Sequence, residues 1–105
     1  MSRREEGRTS EAAPALAAQV AVLLPAVLVR LFPGSARRVE LSAASVAAVI
    51  DALEARWPGM RDRLCDSTPR IRRHINVFVE GRRAGLETLL PPGAEVIIMT
   101  AISGG

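Results

Sequence analysis

Lysine is missing from this chain, and its high isoelectric point is arginine's alone: all 14 basic side chains are arginines, set against 11 carboxylates for a net charge of +3. Tyrosine is also missing, and two Phe and one Trp are the only aromatics, so any core must be aliphatic. A single cysteine, Cys65, excludes an internal disulfide and a multi-cysteine metal site. With His74 as the lone histidine there is no His/Cys cluster, which argues against structural zinc. The lack of disulfides fits a reducing cytoplasm. No paired-carboxylate site, Ser/His/Asp set or phosphate-binding glycine loop can be read, so the chain supplies no catalytic machinery of its own.

What is present suits one soluble domain. The length is 105 residues, 49% of them hydrophobic and 24% charged, proportions of an ordinary packed fold. One stretch pulls the other way. No residue from Ala12 to Val29 is charged, and Arg3 and Arg4 precede it, as in a signal peptide or a short membrane span. Glu5, Glu6 and Glu11 dilute that flank, Pro14, Gln19 and Pro25 interrupt the run, and the segment holds a strand the sheet needs. The expectation is therefore no membrane insertion.

Residues 1–17 read as a disordered extension, 18–100 as the folded domain and 101–105 as a flexible tail. Val20, Val22 and Leu24 alternate as a buried strand ending at Pro25. Ala26 to Phe32 is either a returning strand or a loop with a short turn. Pro33-Gly34 marks a turn, and Arg38 to Leu41 a short strand. Val46, Val49, Ile50, Leu53 and Trp57 recur at helical spacing behind a Ser45 or Ser42 cap, with Asp51, Glu54 and Arg56 opposite. Pro58-Gly59 stops that helix, and Met60 to Cys65 adds one short turn.

After a polar connection over Ser67 to Arg73, Ile75 to Val79 is a strand and Glu80-Gly81 a turn. Leu86, Leu89 and Leu90 suggest a brief helical turn before Pro91-Pro92-Gly93. Glu95 to Thr100 is the last strand, apolar on both faces as a central strand should be. The order predicts an α+β fold, a mixed four- to five-stranded sheet packed against one main helix.

That order, with Val77-Phe78-Val79-Glu80-Gly81, Pro92-Gly93-Ala94-Glu95-Val96 and the terminal Ser103-Gly104-Gly105, resembles the MoaD/ThiS family of ubiquitin-like sulfur carriers. Pro25-Ala26 with Leu28 and Arg30, Trp57-Pro58-Gly59-Met60, and Arg63-Leu64 with the stretch to Arg73 are similar to the longer, CysO-like members. The likeness spans residues 18 to 105. Gly93-Ala94-Glu95 departs from the Gly-Asp-Glu of many members, and Ala101-Ile102-Ser103 from their proline-containing tails.

The resemblance implies a β-grasp fold and a carrier that is not an enzyme and binds no cofactor or metal. An adenylating enzyme of the MoeB/ThiF kind would use ATP to activate the Gly105 carboxylate, which sulfur then converts to a thiocarboxylate. Ala101, Ile102, Ser103, Gly104 and Gly105 would thread into the partner's active site, where glycine's missing Cβ allows close passage. The acceptor would be an enzyme such as molybdopterin synthase large subunit, cysteine synthase, or a thiazole or thiosugar synthase. Without lysine, such a carrier cannot form polymers on itself through that side chain.

Phe78, Ile97 and Met99 are candidates for a partner docking surface if they lie on the sheet face away from the helix; otherwise the N-terminal extension covers them. Cys65 reads as a packed thiol, and His74 as a surface or satisfied polar residue. Arg61, Arg63, Arg70, Arg72 and Arg73 form the densest positive region. Aromatics for base stacking are missing there, so an acidic patch on a partner protein fits better than nucleic acid. The rival to the carrier is a ubiquitin-like binding module that carries no sulfur.

Overall fold

The computed structural model describes residues 18–101. Residues 1–17 and the tail residues Ile102, Ser103, Gly104 and Gly105 lie outside the described residues. Among the described residues five strands form one sheet: β1 (Gln19–Leu23), β2 (Arg38–Ser42), β3 (Ile75–Val79), β4 (Arg82–Arg83) and β5 (Glu95–Thr100). Their order is β2-β1-β5-β3-β4, with β1 parallel to β5 and every other pair antiparallel. This is the expected β-grasp: a mixed sheet closed by one long helix.

That helix, α2 (Val46–Arg56), lies between β2 and β3 in the chain. Ser45 caps it from an extended backbone, its hydroxyl accepting from the Ala48 amide at 3.1 Å. Val46, Val49, Ile50 and Leu53 are buried and meet Val20, Val22, Val39, Leu41, Val77, Val96 and Ile98 of the sheet in one core. No polar or charged residue is buried among the described residues. Trp57 packs only partly against that core, so the helical stripe effectively stops at Leu53. The departure at Ala94 has a packing role: this side chain is 2% exposed and belongs to the core.

Past Pro58, Gly59 turns with φ of 101°, and the short helix α3 (Met60–Leu64) buries Met60 and Leu64. A helix this short has few backbone bonds of its own. Glu54 compensates: its carboxylate accepts from the amides of Gly59 at 3.1 Å and Arg61 at 2.9 Å.

Two expectations are corrected. Ala26 to Phe32 is neither strand nor loop but a helix, α1 (Ala26–Leu31). Pro25 opens it, its carbonyl accepting from the Leu28 and Val29 amides. Only Leu28 is buried, so a six-residue helix with one inward side chain leaves no period to read. Leu86 to Leu90 is not helical beyond a turn at Gly85–Thr88. Its carbonyls serve another element instead: Val46 donates to Thr88 and Ala47 to Leu86 at 3.0 Å each. These satisfy amides at the start of α2 that have no partner inside their own helix. Leu90 turns inward, and Leu89 stays 76% exposed.

Strand β4 is an addition to the elements read from sequence. Glu80 and Gly81 both take positive φ, 51° and 83°, the pair of left-handed residues that closes a two-residue hairpin matched to strand twist. Val79 and Arg82 then face each other across it.

Candidate functional site

The last strand sits in the middle of the sheet. β5 lies between β1 and β3, so the chain leaves the fold from the centre of one sheet end rather than from an edge. Ala101 does not hang free there. Its amide donates to the carbonyl of His74 at 2.7 Å, extending the β3–β5 ladder by one bond and fixing where the tail departs. His74 thus contributes through its backbone, which no side-chain pattern announces.

Alternation along the strands sends one residue in two to each face. Val77, Val79, Val96 and Ile98 go to the helix side and are buried. Phe78, Ile97 and Met99 go to the other side, Phe78 and Ile97 half-buried and Met99 48% exposed. The register brings them together: Phe78 pairs with Ile97, and Met99 with Asn76. Leu23 pairs with Ile97 from the β1 side and completes an apolar row that the sequence reading missed. The signal was available, since Val22 and Leu24 facing inward force Leu23 outward.

Charge borders this row. Arg38 pairs with Leu23 at one end and Arg83 with Phe78 at the other. Arg83 also donates to the Asn76 side chain, and Arg38 forms an exposed ion pair with Glu40 at 3.4 Å. An apolar strip with a charged rim has the make-up of a protein-contact surface.

The remaining candidates are structural. Cys65 is 6% exposed, and burial, helped by the neighbouring Asp66 charge, pushes its thiol up and away from thiolate chemistry. Asp66 is held below its usual range by the Thr68 hydroxyl and the amides of Thr68 and Arg70, as the cap of a turn. Among the described residues no group of three or more His, Cys, Asp or Glu could hold a metal ion. None of their helices is long and apolar enough to cross a membrane.

The ThiS family model matches residues 22–105, four-fifths of the chain and all of the geometry just described. The chain belongs to the ThiS family. Within it, the chain is 35% identical over 92 residues to the sulfur carrier protein CysO of Mycobacterium tuberculosis, covering 82% of this chain and 98% of that relative. Among solved structures, the Amycolatopsis orientalis BexX/CysO complex matches with a TM-score of 0.73 at 33% identity, over 82% of this chain and 99% of that one. Crystalline Mycobacterium tuberculosis CysO matches at 0.71 and 30%, over 79% and 99%. SAMP1 of Haloferax volcanii matches at 0.71 and 27%, over 83% and 99%. This family member is a sulfur carrier of the ThiS/CysO type, a co-substrate rather than an enzyme.

Proposed function

We propose that Gly105 is the sulfur attachment point and that the tail from Ala101 to Gly105 enters the active sites of partner enzymes. An adenylating enzyme of the MoeB/ThiF kind joins the Gly105 carboxylate to the AMP part of ATP, releasing pyrophosphate. Hydrosulfide then attacks the acyl carbon. AMP leaves, and the carboxylate has become a thiocarboxylate. The thiocarboxylate gives its sulfur to an acceptor enzyme in the synthesis of molybdopterin, cysteine or a thio-natural product. ATP is thus the partner's substrate and no cofactor of this chain, and the working compartment is the cytoplasm.

One observation carries this reading: the central strand ends at Thr100, next to a tail closing in Gly104-Gly105, and the family match runs through Gly105. Five extended residues reach about 17 Å, enough to cross a partner's surface to a buried nucleotide. Phe78, Ile97 and Met99, joined by Leu23, form the docking surface that positions that reach. The Amycolatopsis orientalis CysO in complex with BexX supports a protein partner for a carrier of this kind.

The test is intact mass after incubation with ATP, an activating enzyme of this type and sulfide. A gain equal to one oxygen replaced by sulfur is expected in the full chain. It should vanish when Gly105 is deleted or when one residue is added after it. A gain that persists in either variant overturns Gly105 as the attachment point, and a chain inert toward several such enzymes moves the assignment to a binding module that carries no sulfur.

A further inference from the structure

Arginines are unevenly spent in this fold. Among the described residues, ion pairs engage only Arg38, with Glu40, and Arg61, with Asp51. Arg70, Arg72, Arg73 and Arg83 have no ion-pair partner among the described residues, yet the fold gathers them. The connection before β3 brings the first three against the hairpin that carries Arg83, and together they rim an open groove of about 460 Å³ at the β3–β4 edge. The apolar part of its floor is Ile71, Ala84 and Leu86, each only partly buried. Glu87 is the one carboxylate in the lining.

The position matters as much as the charge. Arg73 and Ile75 flank His74, whose carbonyl holds Ala101 at the root of the tail. The groove therefore lies beside the root of the tail, next to the central strand from which the tail leaves. Four guanidiniums gathered around one groove repel one another and favour an anionic surface there. An apolar floor calls for more than charge, because a bare anion would leave it wet. Nothing in the lining is aromatic, so bases would have no stacking platform.

We propose that this groove is a second docking surface, for an acidic segment of a partner protein that places an apolar side chain between its carboxylates. Its link to sulfur transfer rests on the carrier reading above; its binding chemistry does not. Arg70, Arg73 and Arg83 pair with carboxylates at the rim, while the apolar residue covers Ile71 and Leu86. Arg72 is held in place by its Nε donating to the Asp62 carbonyl at 2.7 Å.

The test titrates the isotope-labelled full chain with a synthetic Glu-Glu-Leu-Glu-Glu peptide while amide shifts are followed by NMR. Shifts should centre on residues 71–77 and 83–87, weaken as salt rises, and survive deletion of Gly105. The double variant R73E/R83E should lose affinity at least tenfold, with R73Q/R83Q in between. These side chains are exposed, and unchanged shifts elsewhere would show that the variants fold. No shifts at millimolar peptide, equal affinity in R73E/R83E, or tighter binding of oligothymidylate in the groove would each overturn the proposal. Because Gly105 plays no part in this readout, failure here leaves the mass test of the carrier role standing, and the reverse holds too.

Discussion

The two faces of the sheet are built from the same strands and do opposite things. On the helix side Val20, Val22, Val77, Val96 and Ile98 are all but sealed, with no polar residue among them. On the other side Leu23, Phe78, Ile97 and Met99 share their surface with Asn76, Glu95, Arg38 and Arg83. One face buries enough aliphatic surface to hold the domain together. The second holds a narrower apolar row, half-buried to exposed and bordered by charge among the described residues. The difference separates what makes the fold from what makes it useful. It also explains why a chain nearly without aromatics can afford Phe78 on the outer side, since its core is complete without it.

The largest effect should come from the sealed face. Leu53 is 0% exposed at the centre of the α2 stripe, and Leu53→Ala removes buried methyl groups and leaves a cavity. A loss of about 3 kcal/mol in unfolding free energy is expected, read by denaturant titration. On the open face, Met99→Gln keeps size and removes the apolar end. Stability should stay within about 0.5 kcal/mol of the parent. The KM for the carrier in the activating-enzyme reaction should rise about tenfold, equal to about 1.4 kcal/mol of lost contact. Comparable destabilisation by both substitutions would erase the distinction between the faces.

The sequence disclosed the parts that repeat. β1, β3, β5 and α2 each place several apolar residues at a fixed period, so Val20/Val22 and Val46/Val49/Ile50/Leu53 could be assigned to faces before any coordinates. Phe78 and Ile97 could be paired as outward candidates by the same logic. What stayed hidden is non-local. Helix α1 shows only Leu28 to the core. The Leu86–Leu90 segment takes its shape from satisfying α2's first amides, forty residues earlier in the chain. The Ala101–His74 bond and the placing of Arg73 and Arg83 on one groove depend on how β3 sits against its neighbours, which no window of sequence contains.

A smaller effect tests how the sealed face is held. Ser45 caps α2 through one hydroxyl bond to Ala48, while Thr88 and Leu86 accept from the amides of Val46 and Ala47. Ser45→Ala should therefore cost about 1 kcal/mol, the ordinary value of an N-cap. A cost near zero would mean that the Leu86–Leu90 segment alone suffices to start the helix.

The smallest effect is pH-dependent and belongs to α3, which closes the end of the sealed face with Met60 and Leu64. The amides of Arg61 and then Gly59, donating to Glu54, hold its carboxyl below its ordinary value. A folded-state pKa that is depressed gives stability above the unfolded pKa, lost as pH falls through the folded one. Glu54→Gln keeps an oxygen that can accept from the same amides but removes the charge. The variant should thus melt slightly below the parent at neutral pH, and the gap should close in acid, below the ordinary carboxylate range. Parallel melting curves across that range would show that the amides need only an oxygen, and that the charge at Glu54 contributes nothing to holding α3 against the core.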